Sequence, residues 1–186
     1  MKMKLIKKKE VIDMKLMIAS DIHGSAFYCE KMIEAYKREG ADRLLLLGDI
    51  LYHGPRNDLP KEYAPKQVIA MLNEYKDRIY AVRGNCDAEV DQMVLEFPIM
   101  ADYALLELNG KTFYATHGHI HNADALPPMQ AGDILIHGHT HVLKAEKREG
   151  YTLLNPGSVS IPKEGNPPSY AILEDGLFTN KGSDGT

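Results

Sequence analysis

The chain has 186 residues, of which 44% are hydrophobic, and its formal charge at pH 7 is −4. This length allows one substantial core and is short for two, and the negative charge excludes a general attraction to nucleic acid. The two cysteines are too few for a disulfide framework, so we expect a reducing, cytoplasmic setting. No apolar run approaches the roughly 18 residues that span a membrane, so no membrane association is expected.

Residues 1–13 differ in character from the rest of the chain. They are rich in lysine and lack the apolar centre of a secretory signal, and the first core strand is predicted to begin near Met14. We therefore predict that 1–13 is a flexible N-terminal extension, with a basic arm that contacts nucleic acid as the alternative. Residues 14–186 are predicted to form a single domain.

The first half of the chain alternates predicted strands and helices. Short apolar runs at 16–19, 44–47 and 79–82 are typical of buried strands. Between the first two runs, apolar residues recur at helical spacing, and this helix is expected to begin after Ser25 and to end at Gly40. A second amphipathic helix is expected to begin at Pro65, a residue that favours the first helical turn.

The second half is predicted to be richer in hairpins. Strands at 103–108 and 111–116 flank Asn109-Gly110, a strong hairpin signal, and strands at 142–147 and 151–154 flank Glu149-Gly150. Apolar runs at 134–136 and 170–173 predict further strands, and 155–158 is typical of a turn. Helices in the first half and hairpins in the second favour an α/β fold with stacked mixed sheets.

Polar side chains occupy five short pieces at or just after the ends of the apolar runs. The pieces are Asp21-Ile22-His23, Gly48-Asp49, Gly84-Asn85, His117-Gly118 and Gly138-His139-Thr140-His141. In open α/β folds the carboxyl ends of strands meet at one rim, so these side chains are expected to converge. Two carboxylates, one amide and four imidazoles suit manganese, iron, zinc, cobalt or nickel better than calcium or magnesium.

The number of these donors predicts two metal ions, because seven ligands are too many for one ion with an open position. Two divalent ions carry four positive charges, of which Asp21 and Asp49 cancel two and a metal-bound hydroxide cancels one. The remaining positive charge favours an anionic substrate. In two-metal hydrolases such a site generates hydroxide and holds phosphoryl oxygens, so hydrolysis of a phosphate ester is the predicted reaction.

The order D-x-H, G-D, G-N-x-[DE], a single H and G-H-x-H resembles the calcineurin-like metallophosphoesterase superfamily. The short length and residues 14–24 resemble the small bacterial and archaeal phosphodiesterases of the YfcE type. The resemblance covers residues 14 to about 178. It implies a four-layer α/β/β/α sandwich of two mixed β-sheets flanked by helices, with manganese, Mn(2+), as the usual activating ion.

The resemblance also implies a role for each candidate ligand. Asp21, His23 and His141 would hold one metal, Asn85, His117 and His139 would hold the other, and Asp49 would bridge both. A second G-H-x-H occurs at 118–121, but we assign the last block to 138–141 because His117 then follows its own predicted strand.

Cys86 departs from the superfamily pattern, which usually has His after the Asn of the third block. An uncharged thiol of pKa about 8.5 protonates a leaving group poorly, so we expect a preference for leaving groups such as aryl alcohols. The alternative is that Cys86 only fills space near the site. Asp49, Asn85 and Cys86 are the predicted catalytic residues.

Four residues are candidate substrate contacts: Arg56, Asn57, Cys86 and His119. Arg56 and Asn57 lie in the loop that follows Asp49, where specificity residues are common, although a solvated loop charge is the alternative for Arg56. For His119 the alternative is an ordinary loop residue.

The principal prediction is a metal-dependent phosphodiesterase in which a hydroxide between two metal ions attacks phosphorus. Its expected partner is a small phosphodiester substrate, without stable nucleic acid binding. A phosphomonoesterase is the enzymatic alternative, and a catalytically weak interaction scaffold like the retromer subunit of similar fold is the alternative from another class. The sequence leaves the oligomeric state open, and a homo-oligomer is one option.

Overall fold

The computed structural model describes residues 14–108 and 110–185, so the predicted extension 1–13 lies outside the described residues. The elements in chain order are β1 Leu16–Ala19, α1 Ala26–Glu39, β2 Arg43–Leu46, α2 Pro65–Asn73, a 3₁₀ turn Lys76–Arg78, β3 Ile79–Ala81, α3 Glu89–Gln92, β4 Tyr103–Leu108, β5 Lys111–Thr116, β6 Ile134–His137, β7 Leu143–Lys147, β8 Thr152–Pro156, β9 Ser169–Glu174 and β10 Leu177–Gly182. Each predicted strand and both predicted helices are present. The predicted turn at 155–158 is wrong in its first half, because Asn155 and Pro156 pair with β7 as the end of β8.

The strands form two mixed five-stranded sheets. The first has the order β10-β9-β1-β2-β3, with β1, β2 and β3 parallel and β9 antiparallel to β1. The second has the order β4-β5-β6-β8-β7, with β5, β6 and β8 parallel and β4 and β7 antiparallel at its edges. Each sheet therefore has a parallel centre whose carboxyl ends lie along one edge.

The two sheets stack face to face, and helices cover the outer face of the first. Met17 of β1 packs with Met32 of α1 and Val68 of α2 in one buried cluster. Ile18 of β1 and Ile136 of β6 belong to a second cluster between the sheets. The outer face of the second sheet is covered by a loop that contributes Ala123 and Met129. The predicted sandwich of two mixed sheets is confirmed, and its helices lie on the side of the first sheet.

Local signals explain where the first helix begins and ends. The Ser25 hydroxyl accepts a hydrogen bond from the Tyr28 N–H at 3.3 Å, which caps the helix, and the helix ends at Gly40. Pro65 occupies the first turn of α2, where its missing N–H costs nothing. Among the described residues, no helix combines the length and apolarity needed to cross a membrane.

Candidate metal centre

The carboxyl ends of the parallel strands bring the predicted metal ligands together. Asp21, Asp49 and Asn85 follow β1, β2 and β3 of the first sheet, while His117 and His139 follow β5 and β6 of the second. Asp21, His23, Asp49, His117 and His141 are between 0% and 3% exposed. The Asp21 N–H donates to the Gly48 carbonyl at 3.1 Å and the His23 N–H donates to the Asp49 carbonyl at 2.9 Å. These bonds tie the first two loops into one rim.

The backbone of this rim is strained at the ligands themselves. Positive φ angles occur at Asp21 (60°), His23 (50°), Asp49 (54°), His139 (63°) and His141 (60°). Left-handed backbone costs a residue other than glycine on the order of 1–3 kcal/mol, and such residues cluster at functional sites. Surrounding contacts must therefore hold these five residues in place.

Asp21, His23 and His141 form the first donor cluster. The Nδ1–H of His23 donates to the Tyr52 carbonyl at 2.8 Å, and the Nδ1–H of His141 donates to the Ile161 carbonyl at 2.7 Å. Both Nε2 atoms then face the site, 3.3 Å from each other. The Asp21 Oδ1 atom lies 3.2 Å from the His141 Nε2 and has no hydrogen-bond partner. A cation would satisfy all three converging donors.

Asn85, His117 and His139 form the second donor cluster. The Nδ1–H of His117 donates to the Leu47 carbonyl at 2.6 Å, which turns its Nε2 toward the site. That Nε2 lies 3.1 Å from the Asn85 Oδ1 and 3.1 Å from the His139 Nδ1. One amide oxygen and two imidazole nitrogens therefore converge, a donor set that suits a transition-metal ion.

Asp49 lies between the two clusters. Its Oδ2 atom is 3.7 Å from the His23 Nε2 and 3.5 Å from the His117 Nε2, while its Oδ1 atom accepts the Cys86 N–H at 2.8 Å. A Cβ at Gly84 would overlap the Asp49 carboxylate, so only glycine allows this close approach. One carboxylate oxygen thus faces donors from both clusters at once.

A layer of polar groups behind the ligands holds their backbone. The Asp87 carboxylate accepts N–H groups from Asp49 at 2.8 Å, Ile50 at 2.9 Å and Gly84 at 2.7 Å. Ser158 and Ser160 both donate their hydroxyls to the Asp21 carbonyl at 3.0 Å. Outer groups of this kind orient metal ligands in proteins. Asp87 therefore contacts the backbone of the Asp49 loop.

Opposing effects set the charges of the two carboxylates. Burial alone would raise the pKa of Asp21, but its close contacts with His141 and His23 hold that pKa well below its usual range. Burial would likewise raise the pKa of Asp49, but its contact with His117 lowers it. Both carboxylates are therefore ionised at neutral pH and able to bind a cation.

The histidines and the thiol respond to the same surroundings. Burial would lower the pKa of His117, but its contact with Asp49 and the charge of Asp21 raise it to about 9 in the metal-free protein. Burial and the neighbouring His117 lower the pKa of His139 to about 4. Burial and the charge of Asp49 raise the pKa of the Cys86 thiol to about 12, so the thiol is neutral at pH 7.

A cleft of about 330 Å³ opens onto both clusters. Of the predicted substrate contacts, Arg56, Asn57 and Cys86 line it, and Arg56 is exposed at the surface. The His119 ring is centred 5.3 Å from that of His117, beside the second cluster. Lys163 also lines the cleft and was not anticipated from the sequence. The sequence around Lys163 offers one weak hint of this location, which is that the residue comes shortly after the turn that follows β8.

Within residues 14–108 and 110–185, three groups of His, Cys and Asp side chains have ligand atoms within 4.8 Å of one another. One is Asp21 with His23 and His141, another is Asp21 with Asp49 and His117, and the third combines His23 and Asp49 with Cys86. The third group shares His23 and Asp49 with the predicted ligand set and adds the Cys86 sulfur. Five of the seven predicted metal ligands, Asp21, His23, Asp49, His117 and His141, belong to these groups.

Two stacked mixed sheets that carry a cluster of Asp, Asn and His side chains at one rim are the features of a calcineurin-like phosphoesterase. Residues 14–175 match the model of the calcineurin-like phosphoesterase superfamily domain, and the chain belongs to this family. Membership implies divalent metal ions, which the donor set fits. The resemblance found in the sequence is confirmed.

Individual relatives place the chain more closely within the family. It is 49% identical to the phosphodiesterase YfcE of Escherichia coli over 166 residues, which cover 89% of this chain and 90% of the relative. The solved structure of E. coli YfcE, described as a phosphoesterase, matches with a TM-score of 0.91 and 48% identity over 93% of this chain and 96% of that one. The phosphodiesterase MJ0936 of Methanocaldococcus jannaschii is 27% identical over 77% of this chain and 83% of its own length. The chain is thus a homologue of phosphodiesterase YfcE.

Proposed function

We propose that this protein hydrolyses small phosphate diesters with the help of two divalent transition-metal ions, with manganese preferred. The observation that carries the proposal is the position of the Asp49 Oδ2, which lies within 3.7 Å of donors from both clusters. A carboxylate oxygen with that environment is suited to two cations held side by side. The 49% identity to a relative named a phosphodiesterase supports the choice of reaction.

Each cluster would hold one ion through the atoms that now face each other. Asp21, His23 and His141 would hold the first, Asn85, His117 and His139 the second, and Asp49 both. When bound, the two ions would supply a hydroxide from a shared water and neutralise the phosphoryl oxygens during attack on phosphorus. The carbonyl partners of His23, His117 and His141 hold the Nδ1 proton, so each Nε2 is directed at the site and would bind an ion after losing any proton it carries.

The cleft residues would position the anionic substrate. Arg56 and Lys163 bring positive charge to its mouth, and Asn57 is fixed because its Nδ2 donates to the His53 carbonyl at 2.8 Å. Cys86 lies in the same cleft with a neutral thiol, and a thiol with a pKa of about 12 is a poor proton donor at pH 7. We therefore infer a preference for esters whose leaving group departs without protonation, such as aryl diesters.

The decisive experiment compares an aryl phosphodiester with the matching aryl phosphomonoester, each with added Mn²⁺ and after chelation. We expect metal-dependent turnover that favours the diester and falls at least about 100-fold in Asp49→Asn, because that carboxylate would contact both ions. Asp58→Asn is the matched control, since Asp58 is an exposed acid in the following loop and its loss removes the same charge. Metal analysis of the active protein should give two ions per chain.

Several outcomes would contradict the proposal. A preference for the monoester would favour the phosphomonoesterase alternative, and equal activity with and without metal would exclude the two-ion site. Metal binding without any turnover would favour the interaction scaffold. The cytoplasmic location, the lack of stable nucleic acid binding and the oligomeric state stay predictions.

A further inference from the structure

A second cleft of about 420 Å³ lies beside the candidate metal centre. Its walls are mainly aromatic and aliphatic, and they include Tyr52, Tyr63, Ile69, Ala88, Val90 and Val94. We call it the apolar cleft. Asp91 also lines it, but the Asp91 carboxylate accepts the Ala88 N–H at 2.8 Å and so stabilises the N-terminus of α3.

The apolar cleft adjoins the cleft over the metal centre through a shared residue. Cys86 lines both of them, so the two clefts meet at this residue. Tyr52, on the wall of the apolar cleft, also holds His23 through its backbone carbonyl. A molecule bound over the metal ligands would therefore have the apolar cleft as its neighbour on the Cys86 side.

The two clefts differ in the chemistry they offer. The first carries Arg56 and Lys163 above the metal ligands, so it suits a charged phosphoryl group. The second presents apolar side chains to water, and Val90 and Val94 are 66% and 43% exposed. Covering such side chains with an uncharged group is favourable. The pair of clefts fits a ligand with an anionic centre and one apolar arm.

Building on the proposed function, we propose that the apolar cleft binds one ester group of the phosphodiester substrate. The substrates would then be diesters in which one alcohol is aromatic or branched aliphatic, with the phosphoryl group over Asp49. Val90, Val94 and Ala88 would decide this specificity, while the metal ligands would decide the chemistry.

The test compares two competitive inhibitors with the same charged head, methylphosphonate and phenylphosphonate, on the manganese-loaded protein. We expect phenylphosphonate to bind at least about tenfold more tightly, because its ring buries apolar surface that the methyl group cannot reach. Ala88→Phe would fill the apolar cleft and Val94→Asp would place a charge in it, so each should bring the ratio of inhibition constants close to one. Met93→Asp is the matched control, since Met93 adjoins Val94 in sequence, is 83% exposed and should leave the ratio unchanged.

The results separate this inference from the proposed function. If diesters are hydrolysed but both phosphonates inhibit equally, or if the ratio survives in Ala88→Phe and Val94→Asp, the apolar cleft does not bind the ester group. If no metal-dependent hydrolysis occurs, the proposed function fails. Calorimetric titration of both phosphonates into the metal-loaded protein then tests the apolar cleft by itself. Selective binding that Val94→Asp abolishes would support the cleft, and equal affinities would overturn it.

Discussion

Asp87→Asn should weaken both the fold and the metal centre, because Asp87 holds the backbone of a predicted metal ligand. The side chain is 8% exposed, and its Oδ2 accepts the N–H groups of Asp49 and Gly84 while its Oδ1 accepts that of Ile50. Asparagine has the same shape but only one acceptor oxygen. Even in its better orientation, its amide NH₂ would face the Ile50 N–H, so that donor would be buried without a partner.

The loss can be estimated from the bonds involved. A hydrogen bond to a charged group contributes about 1.5–3 kcal/mol, and a buried donor left unpaired costs about 1–3 kcal/mol. Burial raises the pKa of Asp87, so removing a costly buried charge offsets part of this loss. We expect the free energy of unfolding to fall by about 2–3 kcal/mol. Because Asp49 would relax, manganese should also bind about 10–100-fold more weakly.

Urea unfolding of the metal-free protein measures the first effect, and calorimetric titration with Mn²⁺ measures the second. Asp91→Asn is the matched control, because it removes the same charge from the same segment and Asp91 accepts only the Ala88 N–H among the bonds described. It should leave manganese affinity unchanged. A drop in stability with unchanged manganese affinity in Asp87→Asn would show that Asp87 supports the fold alone, and no change in either quantity would refute the reasoning.

Three further predictions concern the same site. In the metal-free protein, the pKa of His117 is about 9 against an ordinary 6.5, so the stability that its protonated form contributes is complete below pH 6.5 and lost as the pH rises through 9. The decrease should be about 3 kcal/mol in urea titrations with chelator, and a flat profile over this range would contradict it. Gly84→Ala should reduce the metal content of purified protein, since its Cβ would overlap Asp49; full metal content would count against this packing. Cys86→His should speed hydrolysis of esters with poor leaving groups most. An equal effect at every leaving-group pKa would refute the idea that a proton donor is missing at this position.

The elements that sequence patterns predicted are those with strong local signals. The first helix has an apolar stripe, a capping Ser25 and a terminating Gly40, and these act within the segment itself. The elements missed were α3 and β10. The short α3 is preceded by Ala88, which offers no capping side chain, and its Val90 is exposed. The strand β10 is defined by antiparallel pairing with β9, such as Phe178 with Leu173, which a local pattern does not contain.

The residues of the candidate site also fall into those that local sequence predicts and those that only the fold brings together. The predicted ligands are each fixed by a short piece at the end of a strand, so the sequence could name them before their distances were known. Lys163 could not be found in this manner, because its backbone N–H donates to the His141 carbonyl at 3.0 Å and that bond brings it to the cleft. The apolar cleft combines Tyr52, Ile69 and Val94 from segments that meet only after folding.

The strained ligand backbone connects the fold to metal binding. Asp and His tolerate left-handed backbone better than most residues, and all five strained ligands are of these two types. Even so, five such residues at about 1–3 kcal/mol each approach the whole stability of a typical domain. Bonds from Asp87, Ser158 and Ser160 offset part of this cost in the metal-free protein. A cation bound between the Nε2 atoms of His23 and His141, which lie 3.3 Å apart, would add stability to this backbone.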